Sequence, residues 1–596
     1  MFLGMGDFFS MTGQFLKETV ERLHRRLSNK QFLIVGAVIV GLWAGLTAVI
    51  LKITVHYLQE YTRVLGMSYS WTYLITPAIG ILLTVLFVRY VLKGDLAKGT
   101  SHVLLAIARK SSFLPRKETF THMITSALTV GFGGSAGLES PIVQTGSAIG
   151  STFSSFFPIG YRDRTLLLAC GAAAGIATAF NAPIAGVLFA LEVLLVDISI
   201  TAFIPLLIAG ATGALCSKII LSEGILLSFK HISDFNYHNV PHYIVLGIIC
   251  GLVSVYYLKA FRKAESWLTQ RVASRVLRFL IGVTVLGVLI MLFPPLFGEG
   301  YVSIITLATL DPQQLAAGSP LAEFVRHPVS LGLFILAVGL IKVFAVSCTL
   351  TAGGNGGNFA PSLLVGACIG FAYAFLFNAS GLAGLPASNY TVVAMAGVLT
   401  GIFHAPLTAI FLIAEITGGY ELIIPLMIVS ALSTAVSKYL HPHSLDEIKL
   451  GEEEGTVAIN KDTHILSDMA TRGFIETDFV PIHKDATLRV LVASISRSAR
   501  NIFPVVDDNH ALAGVVALEN IREIMFNTEA YDSTIVSHLM QQPVAVADVK
   551  DDMRTIMQKF DKTGVWNIPV LDNGKYIGFI SKSRIFSNYR DKLKGD

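Results

Sequence analysis

Two short stretches of this chain set glycine, proline and polar residues inside long apolar sequence: Gly134-Ser135-Ala136-Gly137-Leu138-Glu139-Ser140-Pro141 and Gly356-Gly357-Asn358-Phe359-Ala360-Pro361. Glycines let successive backbone N–H groups converge, and each proline stands where a helix can open at little cost. A helix that starts there aims partial positive charge and unbonded amides at an anion. In the first stretch Glu139 would occupy that site itself. Ionised, its carboxylate mimics the anion; protonated or outcompeted, it leaves. A carboxylate in so apolar a context is costly unless an ion or a pathway requires it. In the second stretch the amides of Asn358, Phe359 and Ala360 are free to donate in the same way. The alternative for both is glycine packing between helices, with Glu139 merely paired.

The elements that must hold these stretches belong in a bilayer. Of 596 residues, 53% are hydrophobic and 14% charged, against about 25% charged in a soluble domain. The formal net charge is +4, yet over half of the acidic residues follow Tyr439. The apolar part is therefore poor in carboxylates, which suits anions better than cations. Cys170, Cys216, Cys250, Cys348 and Cys368 are scattered and read as buried hydrophobes, with no spacing that suggests a metal. Residues 1–30, with Lys17, Arg22, Arg25, Arg26 and Lys30, precede the first apolar run. That run is too long for a secretory signal, and its basic flank predicts a cytoplasmic N-terminus.

Apolar segments at 32–57, 71–93, 241–259, 278–296 and 329–348 are long enough to span a bilayer at about 1.5 Å per residue. Segments 121–156, 164–190, 202–220, 361–378, 387–415 and 421–439 are punctuated by Gly, Pro and Asn. They predict broken helices, which hydrocarbon admits only beside protein or a water-filled cavity. Residues 179–192 and 401–415 echo each other: both read apolar-Phe-polar-Ala-Pro, then an apolar run ending in Glu192 or Glu415. One of the two glycine-rich stretches precedes each. Such duplication is how repeat-built transporters assemble an ion site from half-helices. The fold class expected is an all-α polytopic membrane domain with broken helices and an internal inverted repeat, followed by a soluble α+β module.

Residues 447–462, including Glu452-Glu453-Glu454, read as a solvated linker. The soluble part beyond it is itself duplicated. Asn501-Ile502-Phe503-Pro504-Val505-Val506 followed by Gly514-Val515-Val516 is repeated as Asn567-Ile568-Pro569-Val570-Leu571 followed by Gly578-Phe579-Ile580. Each copy predicts helix, strand, acidic turn, strand, helix.

On these residues the segment 31–446 resembles the CLC family of chloride channels and chloride/proton exchangers. Gly357-Asn358-Phe359-Ala360-Pro361 matches the family's Gly-x-Phe-x-Pro signature, and Gly137-Leu138-Glu139-Ser140-Pro141 is similar to its Gly-Arg-Glu-Gly-Pro signature. The resemblance implies a homodimer in the cell (inner) membrane with one anion pore per subunit and Glu139 as external gate. It implies pore-loop glycines Gly99, Gly137 and Gly357, and anion contacts from Leu138, Asn358, Phe359, Ala360 and the hydroxyl of Thr100. Four departures accompany it. Gly99-Thr100-Ser101-His102-Val103 replaces Gly-Ser-Gly-Ile-Pro, which reshapes the inner vestibule and adds His102, a polar helix-end residue or a titratable one near the pore. Asp446 stands about where the family has a pore tyrosine; ionised, it would repel chloride, so it is expected to face water or a base. Leu138 and Ser140 replace Arg and Gly beside the gate. Val193 falls where exchangers carry an internal proton-relay glutamate; its neighbour Glu192 corresponds to an acid regarded as structural, though a water wire could use it.

The soluble part resembles a tandem CBS pair at 463–526 and 534–590, a regulatory module. CBS pairs often bind adenine nucleotides, but Asn520 and Arg584 stand where an acid would hold the ribose, which argues against a nucleotide here. The acidity of this part fits a cytoplasmic domain and gives no sign of nucleic-acid binding. The sequence therefore points to a non-enzymatic, chloride-selective CLC-type channel with chloride as substrate, gated by Glu139 and modulated by its CBS pair. Chloride/proton antiport through the same pore is the alternative, and a membrane scaffold or receptor signalling through the CBS pair is a third reading.

Overall fold

A computed structural model describes residues 28–594 apart from 69–70, 95, 110, 196–199, 222–232, 310, 382–383 and 455–470. The chain divides into two compact units, Met1–Val457 and Ala458–Asp596. Nine helices among the described residues are long and apolar enough to cross a membrane. The five uninterrupted segments become Asn29–Ser68, Thr72–Leu86 with a π-type extension to Val91, Val240–Arg271, Arg275–Leu292 and Pro328–Thr351. Trp43, Ile50, Leu252, Val276 and Leu280 on these helices are exposed, as side chains that face lipid must be.

The punctuated segments divide in two ways. Segments 202–220, 361–378 and 421–439 are continuous helices where breaks were expected, Ile200–Leu221, Phe359–Ala379 and Ile423–Leu440; Pro361 and Pro425 lie in the first turn, where no intrahelical N–H is missed, and Pro205 lies inside its helix. The others break as expected. Helix Tyr161–Phe180 ends on Asn181 in the left-handed conformation (φ 53°) and Pro183 opens the next helix; helix Ala387–Phe403 ends on His404 (φ 56°) and Pro406 does the same. The repeated Phe-polar-Ala-Pro pattern is thus a helix stop followed by a helix start.

The duplication is expressed as reciprocal hydrogen bonds, the signature of a two-fold relation. Gly137 N donates to Gly357 O at 2.8 Å and Gly357 N to Gly137 O at 2.7 Å. Ser135 N donates to Thr349 Oγ1, and Asn355 N to Thr129 Oγ1, both at 3.0 Å. Gly133 and Gly353 hold equivalent left-handed positions (φ 95° and 110°), which a side chain would strain. The two motif-ending glutamates cross over as well. Glu192 accepts from Leu407 N (3.2 Å) and from Thr408 N and Oγ1 (both 2.8 Å); Glu415 accepts from Ile184 N (3.1 Å) and Ala185 N (2.8 Å). Each carboxylate satisfies the orphan amides of the proline-opened helix in the other half.

The membrane unit does not end at residue 446. Helix Leu445–Glu454 occupies the first part of the expected linker. Ser444 and Glu447 close a capping box, Ser444 N on Glu447 Oε2 (2.9 Å) and Glu447 N on Ser444 Oγ (3.3 Å), which starts a helix where the acidic run suggested coil. The rest of that linker, and the start of the first soluble copy, lie outside the described residues.

In the soluble unit each copy carries an antiparallel hairpin, Ile502–Val506 with Leu512–Ala517 and Asn567–Asp572 with Lys575–Ser581. Helices Leu488–Ile495 and Met553–Thr563 pack on them. A two-residue parallel strand joins each hairpin, at Ile482–His483 and Ala547–Asp548. Each copy also extends the other's hairpin, Glu476 bridging Phe579 and Gln541 bridging Val515.

Candidate anion site

Helices Glu139–Ser154 and Phe359–Ala379 start from the two paired loops, and neither has a side-chain cap at its N-terminus. Their first amides are left for other acceptors. Glu139, 3% exposed, supplies one: Oε2 accepts from Ala360 N at 3.3 Å and Oε1 from Tyr301 OH at 2.7 Å. A Cβ on Gly137 would collide with Glu139 Oε2, so glycine there leaves the volume that the carboxylate fills. The acid of one half thus sits on the helix start of the other.

A cavity of about 400 Å3 is lined by Glu139, Ser140, Thr100, the Gly356–Phe359 loop, Glu265, Asp446 and Lys449. Phe189, Phe359 and Phe403 give it an apolar wall. Thr100 Oγ1 lies 3.4 Å from Ser140 Oγ, and Gln144 Nε2 holds Gly99 O at 2.7 Å. Lys98 Nζ donates to Gly354 O at 2.7 Å. Gly99, Thr100, Glu139, Gly357, Asn358, Phe359 and Asp446 therefore line one space, and Gly137, Leu138 and Ala360 adjoin it through their loops.

Two vestibule candidates lie elsewhere. Helix Thr100–Arg109 begins at Thr100, so each following side chain turns by about 100°. Ser101 and His102 are carried off the cavity face. His102, 5% exposed, has Nδ1 3.5 Å from Glu118 Oε2, with His122 Nε2 3.9 Å from the same oxygen. Val193 packs against the apolar core, and Glu192 has both oxygens committed to the crossover described above. Asp446 faces the cavity, and no described Lys, Arg or His lies within ion-pair distance of it. Asn520 and Arg584 are exposed on the last helix of each soluble copy.

Four residues of the site escaped the sequence reading. Tyr301 holds the Glu139 carboxylate. Glu299 Oε1 accepts from Leu138 N at 3.2 Å, so a second carboxylate sits beside Glu139 on an amide of the first loop. Lys342, wholly buried, donates to Leu296 O (3.1 Å) and Gly298 O (2.9 Å), pinning the turn that carries Glu299 and Tyr301. Tyr257 OH donates to Asn358 Oδ1 at 2.9 Å, steadying the second loop. A signal existed for two of them: Glu299 and Lys342 are charges in apolar sequence, open to the argument made for Glu139. Nothing in the sequence tied Tyr257 or Tyr301 to the loops.

A family model described as voltage gated chloride channel matches residues 79–438, and a CBS domain model matches 468–527 and 536–591. A putative chloride channel protein ClcB-like from Ralstonia nicotianae is 31% identical over 364 residues, 60% of this chain and 80% of its own length. The chloride channel protein CLC-e of Arabidopsis thaliana is 28% identical over 67% of this chain and 59% of its own length. Among solved structures, a slow cyanobacterial Cl−/H+ antiporter has a TM-score of 0.61 at 22% identity, covering 72% of this chain and 99% of that one. A eukaryotic CLC transporter has a TM-score of 0.58 at 17% identity over 94% and 99%.

Proposed function

The chain belongs to the CLC family of voltage-gated chloride channels, and on that premise we propose that it carries chloride through the Thr100–Glu139–Phe359 cavity in exchange for protons. One observation carries the reading: the Glu139 carboxylate takes the Ala360 amide and the Tyr301 hydroxyl, donors that would otherwise serve an anion. Chloride entry and departure of the carboxylate then become one event, and the carboxylate departs most readily when protonated. Anion occupancy and proton occupancy are linked at a single set of donors.

Passive conduction, the mode favoured by the sequence, is the second reading. Val193 offers no proton, and Glu192 is occupied in holding the Pro406–Thr417 helix. Reconstitution into liposomes separates the two. Under a chloride gradient, uphill proton movement in fixed ratio to chloride supports exchange; a reversal potential that tracks chloride alone refutes it. The proposal includes a homodimer with one pore per subunit, cytoplasmic termini, placement in the inner membrane and modulation by the CBS pair. Single-molecule bleaching counts the subunits, and deletion of residues 471–596 tests the modulation.

A further inference from the structure

Proton exchange needs a station between the cytoplasmic water and Glu139, and position 193 cannot provide one. The geometry points to Asp446 as that station: we propose that it takes a proton at the wall of the anion cavity and passes it, through water in that cavity, to Glu139. This inference rests on the proton-coupled reading above.

Three observations carry it. Asp446 is 7% exposed and lines the same cavity of about 400 Å3 as Glu139. Its Oδ2 has no hydrogen-bond partner among the described residues, an arrangement that is expensive for a carboxylate unless water or a proton satisfies it. Its position is fixed: the Ser444–Glu447 capping box sets the first turn of its helix and spends the Glu447 carboxylate on a backbone amide. Asp446 therefore lies in the wall of a space large enough for several waters, with its Oδ2 buried and unpaired among the described residues.

The other charges around this space do not substitute for it. Lys98, from the loop before Thr100, donates to Gly354 O. Lys449, one turn along the same helix, has Nζ over the Phe261 ring, 4.9 Å from its centroid. Glu265, on helix Val240–Arg271, also lines the cavity but is less buried than Asp446. Glu447 is tied into the capping box. Asp446 and Glu139 are left as the acids buried within the cavity wall, at 7% and 3% exposure.

The step conserves charge and atoms. A proton from water forms an O–H bond on Asp446, that bond breaks as the proton moves along hydrogen-bonded water, and a new O–H forms on Glu139. Neutral Glu139 releases the Ala360 amide to chloride. Asp446 returns to the carboxylate form, ready for the next cycle.

The test compares full-length wild-type protein, Asp446→Asn and Asp446→Glu in liposomes, with proton and chloride fluxes measured together and chloride binding by calorimetry used to certify folded sites. The expected result is a drop of at least about tenfold in protons moved per chloride for Asp446→Asn, with chloride flux retained, and recovery of the ratio in Asp446→Glu. An unchanged ratio in Asp446→Asn overturns the inference, even if chloride flux rises because a repelling charge has gone. Absence of proton movement in the wild type would instead overturn the exchange reading, and this inference with it.

Discussion

Tyr301→Phe isolates one hydrogen bond at the gate. The change removes a hydroxyl and little volume, and the ring keeps its edge contact with Phe180, at 6.3 Å between centroids. The hydroxyl donates to Glu139 Oε1 at 2.7 Å, and a hydrogen bond to a charged acceptor is worth about 1.5–3 kcal/mol. The Ala360 N bond to the same carboxylate is longer, at 3.3 Å. Loss of the tyrosine bond therefore weakens the gate's hold by about 1.5–3 kcal/mol, or about one to two powers of ten in its occupancy of the anion site. Chloride competes for that site, so its apparent affinity rises by the same factor. Isothermal titration of the detergent-solubilised protein with chloride reads the change directly. In a Glu139→Gln background the same tyrosine change should have far less effect, because the pair acts as a unit. Equal chloride affinity in wild type and Tyr301→Phe, or an equal gain with and without Glu139, would refute the reasoning.

Burial, and then the neighbouring Glu139 carboxylate, push the Glu299 carboxyl up to about 8, so it is mostly neutral at pH 7. Glu299→Gln should therefore stay close to wild type in chloride uptake at pH 7 and exceed it only as pH rises above about 8, where the wild-type carboxylate ionises; a gain that is the same at pH 7 and pH 9 would refute this. Glu192→Ala strips three hydrogen bonds from the start of helix Pro406–Thr417 and should lower the melting temperature in detergent while leaving the proton-to-chloride ratio of the folded fraction unchanged; a changed ratio would restore Glu192 as a relay. Ile568→Ala, at a fully buried strand position of the soluble unit, should cost about 2–5 kcal/mol in urea unfolding.

Much of the membrane fold was legible because bilayer physics writes itself into sequence. Long apolar runs have to be helices, and proline after a left-handed Asn181 or His404 has to be a break. The capping box at Ser444 and Glu447 was equally local, yet the run Glu452–Glu454 drew the reading towards coil. In the soluble unit the hairpins were plain from alternating apolar residues and acidic turns. The two-residue parallel strands were not, since Ile482–His483 and Ala547–Asp548 exist only as partners of strands further along the chain.

The sequence by itself determined the family-type loops, the duplication and the presence of an acid at Glu139, because glycine, proline and a lone carboxylate in apolar surroundings each have few physical uses. It also identified Thr100, Asn358, Phe359 and Asp446 as residues to watch. Which of these meet was a matter of tertiary structure. Helical rotation took His102 away from the cavity to Glu118, crossover bonding committed Glu192 to the opposite half, and a turn pinned by Lys342 brought Tyr301 to Glu139. The Glu192 and Tyr301 contacts join positions 160 or more residues apart, so their energy depends on packing that no local pattern encodes.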